Sequence, residues 1–266
     1  MTPENHVEAA NDLLNAEEKG EQIRLLTQRY PEMGMDDAYA VQNAIYLAKL
    51  QQGRTVVGWK IGLTSKAMQY ALNINIPDSG ILFDDMVFAN GSIVPKERFI
   101  QPRIEAEIAF VMKSSVGGED VTREDVIAAT DYVAPSLEIL DTRILRVDPE
   151  TNAKRKIFDT ISDNAANAGV VLGSERHGVD GIDLRWVGAI ASSNGEVEET
   201  GLGAGVLNDP IESVVWLARR MAKYKQSIQP GQIILSGSFI RPIECPSGTA
   251  IHADFGSFGS VDISFA

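Results

Sequence analysis

Arg103-Ile104-Glu105-Ala106-Glu107-Ile108-Ala109-Phe110-Val111-Met112 reads as a β-strand with two unlike faces. Strand side chains alternate, so Ile104, Ala106, Ile108 and Phe110 share one face, and Glu105 and Glu107 share the other. The apolar face predicts a sheet packed on a hydrophobic core. The acidic face poses the functional question. Two adjacent carboxylates repel each other. On a solvated face that costs little. On an enclosed face a divalent cation is the natural compensation, and hard oxygen donors suit Mg²⁺ or Mn²⁺. A third acid lies in Ser136-Leu137-Glu138-Ile139-Leu140. Glu seldom interrupts so apolar a strand unless it is paired or metal-bound.

Outward from these two strands the chain keeps changing period. Short β-like segments begin at Thr55 with TVVGWKIGLTS, and SIVP follows. Further strands are predicted near 132–140, 168–173 and 183–191, with Asn194-Gly195 as a hairpin turn. The tail alternates again in QIILSGSFI, TAIHADFG and GSVDISFA. Helices are predicted over 3–19, over 36–52 with Asp36 or Asp37 at its start and Gly53 at its end, over 122–130 behind a Thr122–Asp125 capping box, and over 210–223. The last has Asp209 as N-cap, Pro210 at the first position and Glu212 at the third. The reading is an α+β fold: a helical region over 1–55 and a β-rich body over 56–266, which together can form one continuous domain. The segment between Asp141 and Asn167 is long, polar and charged, and such loops usually carry function or short helices.

The 266 residues and 44% hydrophobic content suffice for a sizeable core. Acidic residues outnumber basic ones by 37 to 24, a formal net charge of −13. That excludes a basic nucleic-acid footprint and attraction to an anionic membrane. An anionic substrate would need local positive charge, from a metal or from placed Lys and Arg. No apolar run reaches the roughly 18 residues of a membrane span. The N-terminus has no signal-peptide apolar region, and Cys245 is the single cysteine. A cytoplasmic protein is expected.

Four segments read together are more specific than any one. Gly58-Trp59-Lys60-Ile61-Gly62-Leu63-Thr64-Ser65 precedes Pro77-Asp78-Ser79-Gly80, then Pro102-Arg103-Ile104-Glu105-Ala106-Glu107 and Ser136-Leu137-Glu138. With Pro230–Ser238 (PGQIILSGS), they resemble the hydratase and decarboxylase branch of the fumarylacetoacetase superfamily, from about Asp36 to the C-terminus. Phe158–Gly169 (FDTISDNAANAG), preceded by Asp148–Thr151 and Arg155-Lys156, is most similar to the subfamily that hydrates 2-oxohept-4-ene-1,7-dioate in 4-hydroxyphenylacetate and homoprotocatechuate catabolism. The resemblance implies a fumarylacetoacetase-like β-rich core and an E-x-E…E metal triad, here Glu105, Glu107 and Glu138. It also implies an essential lysine, Lys60, and an acid near the site, Asp78. Members of the family form homo-oligomers, and a complex with pathway enzymes is compatible with it.

A 2-oxo acid presents a carboxylate and a keto oxygen that chelate Mg²⁺, which then acts as a Lewis acid. The implied reaction moves the double bond of a 2-oxo-4-enoate into conjugation and adds water at C4. The product is 4-hydroxy-2-oxoheptanedioate. Lys60 is the candidate for proton transfer or carboxylate binding, although alone it reads equally well as a surface lysine. Asp78 is a candidate to orient water or shuttle a proton, although beside Pro77 and Gly80 it also reads as a turn former. Ser162 and Asn164 are candidates to bond substrate oxygens, or else to cap a helix near Asp163. Arg155, with Lys156, is the candidate for the far carboxylate of a diacid, or else part of a solvated loop. Trp59 reads as core. Competing activities are hydration of 2-oxopent-4-enoate and decarboxylation of a 2-oxo-3-enedioate of the 4-oxalocrotonate type. C–C hydrolases of the superfamily it resembles typically activate water with a His–Glu pair, and none of His6, His177 and His252 lies in a matching motif. A non-catalytic subunit would have no use for the triad with Lys60.

Overall fold

A computed structural model describes residues 1–66, 69–70, 74 and 76–266. The strands in chain order are β1 (Val56–Gly62), β2 (Asp78–Phe83), β3 (Val87–Phe88), β4 (Ile93–Val94), β5 (Arg103–Met112), β6 (Thr130–Leu140), β7 (Asn167–Leu172), β8 (Gly188–Ser193), β9 (Glu196–Leu202), β10 (Ile233–Leu235), β11 (Ile243–Glu244), β12 (Ala250–Asp254) and β13 (Ser260–Phe265). They form two sheets. One runs β2-β1-β10-β5-β6-β7-β3, with β11 paired to β5, and the other runs β4-β13-β12-β8-β9.

The apolar face of β5 decides how these sheets meet. Ile104, Ala106, Ile108 and Phe110 are fully buried, together with Leu137, Ile139 and Val171 from neighbouring strands. They share one core with Ala191, Ile251, Ala253, Val261 and Ile263 of the second sheet. Each such Ile or Phe contributes about 2–3 kcal/mol on leaving water. The other face of β5 therefore cannot join this core, and it carries Glu105 and Glu107.

The N-terminal helices α1 (Pro3–Lys19), α2 (Leu26–Arg29) and α3 (Met35–Gln51) build a second apolar cluster, into which Ile144 and Ile161 also insert. Gln42 of α3 ties this layer to the sheet by donating to Ser79 O (2.9 Å) and Ile161 O (3.1 Å). No helix among the described residues is long and apolar enough to cross a membrane.

The helix expected over 122–130 is α4 (Arg123–Ala129), capped by Thr122 with Asp125 reciprocating, and the one expected over 210–223 is α6 (Pro210–Ala222) with Asp209 as its cap. The start of α3 differs in detail: Gly34 is the cap, and Asp37 accepts the Gly34 N–H from three residues on. The strand read over 183–191 begins only at Gly188, because Leu184–Trp186 closes into a 3-10 turn around the Asp183 side chain. The Asn194-Gly195 hairpin stands between β8 and β9, with φ of 51° and 87°.

The long 141–167 segment contains α5 (Ile157–Ser162). The helix read near Asp163 is reduced to a 3-10 turn over Asn164–Ala166 that is not right-handed. Asn164, Ala165 and Ala166 take φ of 51°, 53° and 59°, three left-handed residues in succession. This conformation costs an L-residue about 1–2 kcal/mol each, so surrounding contacts must hold it. Asn164 supplies two of them, accepting the Ile81 N–H at 2.8 Å and donating to Ile81 O at 2.9 Å. Asn167 Nδ2 donates to the same carbonyl at 3.0 Å. The turn is thereby fastened across β2.

Candidate active site

Register brings the acids together. In the antiparallel β5–β6 pair, Glu105 stands directly opposite Glu138, and Glu107 is opposite Ser136. One carboxylate oxygen from each of Glu105, Glu107 and Glu138 lies within 4.8 Å of the others. Glu107 and Glu138 are fully buried and Glu105 is half-buried. The enclosed alternative of the two read from the sequence is the one the fold adopts.

Lys60 reaches this cluster from β1. It aligns with Leu235 of β10, which aligns with Ala109 of β5, on the face that carries the acids. Three strand spacings, about 14 Å along the sheet, separate β1 from β6. Lys60 Nζ nevertheless lies 3.4 Å from Glu138 Oε1, so this face is concave and its side chains converge. Asp78, opposite Gly62 at the start of β2, is buried on the same face. It is a strand residue here, which removes the turn-former reading. Two glycines make room. A Cβ on Gly62 would run into Asp78 Oδ1, and one on Gly80 would meet Asn164 O and lie 3.2 Å from Lys60 Cγ.

The electrostatics follow from this enclosure. Burial, then the neighbouring Glu138, pushes Glu105 up to about 8. Burial, with Glu138 and Glu105 adding, pushes Glu107 well above the carboxylate range. Glu138 is raised by burial, with the Lys60 charge opposing. For Lys60 burial acts to depress the ammonium, but Glu138, Asp78, Glu105 and Glu107 outweigh it and hold the group above the ordinary lysine value. The lysine is therefore a held cation and not a depressed base. Asp78 is raised by burial against the pull of Lys60.

The donor set fits a divalent ion. Glu107 Oε1 and Glu138 Oε2 are buried with no hydrogen-bond donor among the described residues, and Glu138 Oε1 has only the ion pair with Lys60 at 3.4 Å. Buried polar atoms without partners are rare enough to demand an occupant. The fourth of these oxygens, Glu107 Oε2, accepts the Gly237 N–H at 2.7 Å, which fixes the carboxylate's orientation. Gly237 has φ of 114°, and a Cβ there would strike Thr64, so only glycine brings its amide to Glu107.

Other residues singled out in the sequence fall around this centre. Ser162 is fully buried at the end of α5, and its Oγ has no partner. Both ends of the Asn164 amide are engaged by Ile81, so it clamps β2. Arg155 is half-buried, with Nη1 donating to Thr142 Oγ1. Asn167, not singled out before, is fully buried, and its Oδ1 has no donor. A Cβ on Gly80 would also touch Asn167 Cβ, so this amide borders Lys60. The role of Gly237 was likewise not visible in sequence, although the glycine lies in the PGQIILSGS stretch. A cleft of about 520 Å³ is lined by Tyr39, Tyr46, Trp59, Ser79, Ile81 and Arg220 among others. Trp59, Ser79 and Ile81 alternate with Lys60, Asp78 and Gly80. The cleft therefore opens on the opposite face of β1 and β2 and is separate from the acid cluster.

No family model matches the chain. The chain is 51% identical over 260 residues to the 2-oxo-hept-4-ene-1,7-dioate hydratase of Escherichia coli, covering 98% of this chain and 97% of that one. The chain belongs to the hydratase and decarboxylase branch of the fumarylacetoacetase superfamily. Other members of the branch are similar over nearly full length. The 2-keto-4-pentenoate hydratase of Paraburkholderia xenovorans is 39% identical over 265 residues, 100% of this chain and 96% of that one. The solved structure of 4-oxalocrotonate decarboxylase from Pseudomonas putida, complexed with magnesium and adipate, matches with a TM-score of 0.93 at 34% identity, covering 100% of this chain and 99% of that one. The branch thus includes both water-adding and CO₂-releasing enzymes on one scaffold.

Proposed function

We propose that this protein is a divalent-metal-dependent hydro-lyase that hydrates 2-oxohept-4-ene-1,7-dioate to 4-hydroxy-2-oxoheptanedioate in aromatic catabolism. The observation that carries the reading is the full-length 51% identity to the Escherichia coli hydratase. The buried triad supports it with an all-oxygen donor set. Glu105, Glu107 and Glu138 would hold Mg²⁺, with Mn²⁺ the alternative. When bound, the ion supplies Lewis-acid polarisation of the substrate's 2-oxo group.

The chain's own groups divide the rest of the work. The Lys60 ammonium, anchored to Glu138, neutralises negative charge that develops at the 2-oxo end and can return a proton to C3 once water has added at C4. Asp78, inclined by burial to carry a proton, serves C5 and orients the water that adds at C4. General acid–base groups of this kind contribute about 10²- to 10⁴-fold each. The free Ser162 hydroxyl donates to a substrate oxygen, and Arg155 stands toward the far carboxylate. Asn164 serves the site by holding β2, on which Asp78 sits. The enclosed face excludes bulk water, so the reacting water is the one the site orients.

A second reading is decarboxylation of a 2-oxo-3-enedioate, favoured by the likeness to the decarboxylase structure. Incubation of the purified protein with Mg²⁺ and the seven-carbon substrate, with product identification, separates the two. Uptake of water with no CO₂ supports the hydratase, and release of CO₂ supports the decarboxylase. The proposal includes a homo-oligomer in the cytoplasm, supported by the family resemblance and the single cysteine. Light scattering of the purified protein tests the assembly.

A further inference from the structure

Beyond the triad, the end of β5 and β6 gathers three arginines, of which the protein pairs only Arg146 with a carboxylate among the described residues. Arg103 lies two residues before Glu105 on β5, hence on the same face, and opposite Leu140 of β6. On its other side it is aligned with Glu244 of β11. Glu244 binds Arg146, with Nη1 at 2.5 Å and Nη2 at 3.1 Å from its two oxygens. The Arg155 N–H in turn donates to Arg146 O at 2.9 Å, so Arg146 and Arg155 are backbone neighbours. Arg103 thus lies beside Glu105, and Arg146 and Arg155 stand near enough to Arg103 for the three cations to repel one another.

The nearby carboxylates are already engaged. Asp141 accepts the Ile100 and Gln101 N–H groups. Asp163 is held by Arg143 N and Nε. Asp159 takes Thr27 N, Thr27 Oγ1 and Lys156 N. Glu244 belongs to Arg146, and Glu105 to the triad. Among the described residues Arg103 and Arg155 have no ion-pair partner, and Arg103 Nε is buried with no acceptor. A buried guanidinium N–H without an acceptor is costly. It is more notable in a chain whose net charge is −13.

We infer that Arg103, with Arg155 beside it, is the site for the distal carboxylate of a dicarboxylic substrate, and that it sets the preference for a diacid over a monoacid. This rests on the triad holding the 2-oxo end, as proposed above. The spacing agrees. Arg103 is offset from Glu105 by two positions along the strand, about 7 Å, and an extended six-bond chain from C1 to C7 spans about the same. The planar fork of arginine binds a carboxylate through two parallel hydrogen bonds, which also fixes its orientation.

The test compares 2-oxohept-4-enedioate with 2-oxopent-4-enoate under saturating Mg²⁺ for wild type, Arg103→Gln, Arg103→Lys and Arg155→Gln. Wild type is expected to favour the diacid. In Arg103→Gln the ratio of diacid to monoacid kcat/KM is expected to fall about 10- to 100-fold, the range for a charge-assisted hydrogen bond, with the loss carried mainly by KM. Arg103→Lys keeps the charge without the fork and should recover part of the ratio. If Arg103→Gln does not melt cooperatively, Arg103→Lys and Arg155→Gln decide by the same ratio. Equal losses on both substrates in every folded variant would overturn the assignment. So would a wild type that uses the two substrates equally well, with the hydratase reading left intact. Wild type that hydrates neither would bring down the hydratase reading and this inference with it.

Discussion

Replacing Glu105 by Gln should leave the metal-free protein no less stable than wild type while removing its response to Mg²⁺. Three carboxylates with oxygens within 4.8 Å of one another face a single Lys60 ammonium. At that separation one like-charge pair costs about 3 kcal/mol at an effective dielectric constant of 20. Glu105 is repelled by the other two carboxylates and attracted by Lys60 and, behind it, Arg103, so its neutralisation relieves at most about one pair. Part of that relief is already taken by protonation, because burial and Glu138 raise Glu105 to about 8. The sign follows. A carboxyl whose folded pKa is raised stabilises the fold fully below its unfolded value, and that contribution is lost as pH rises through about 8. The advantage of Glu105→Gln over wild type in chelator should therefore be smaller at pH 6 than at pH 8. For a chain of this length about 1 kcal/mol shifts Tm by roughly 2 °C. The assay is thermal unfolding with EDTA and with Mg²⁺ at both pH values. Wild type should gain Tm with Mg²⁺, and Glu105→Gln should gain little. A variant several degrees less stable than wild type in EDTA would refute the picture of a charge cluster awaiting a cation. A variant with an undiminished Mg²⁺ response would remove Glu105 from the ligand set.

Three further outcomes are expected. Gly237→Ala forces a side chain into φ of 114° against Thr64 and displaces the N–H that orients Glu107; it should cost about 1–3 kcal/mol in urea denaturation and weaken Mg²⁺ binding measured by calorimetry. Lys60→Met should lower kcat by about 10²- to 10⁴-fold, while Mg²⁺ binding by calorimetry persists. Asp148 is held below the carboxylate range, first by the Arg24 guanidinium and also by the Thr151 and Glu150 N–H groups. Its contribution to stability is full above its unfolded value of about 3.8 and declines as pH falls below that toward the depressed folded value, so Asp148→Asn should lower Tm at pH 7 and the gap to wild type should narrow steadily below pH 4.

The sequence made the strands legible and left their pairing unread. Alternation in Ile104–Phe110 placed two glutamates on one face, since period-two burial is a local property. That Glu105 would stand opposite Glu138 depended on the β5–β6 register, which no local pattern states. Lys60 was readable only through resemblance, because its burial results from the curvature of the sheet. The left-handed turn at Asn164–Ala166 was invisible for a different reason. Alanine has no preference for that conformation, and the clamp that enforces it, Ile81, lies 83 residues away in sequence. The arginine cluster joins β5, β11 and the 146–155 ribbon, three segments distant in sequence, so no local pattern marked Arg103 out.

The most direct measurement is product analysis of the Mg²⁺-loaded protein acting on 2-oxohept-4-ene-1,7-dioate in water enriched with heavy oxygen. A single labelled hydroxyl at C4 of 4-hydroxy-2-oxoheptanedioate, with no CO₂ released and no turnover in EDTA, is the predicted result. Release of CO₂, absence of the label from C4, or full turnover in EDTA would contradict a metal-dependent hydration at the Glu105–Glu107–Glu138 site.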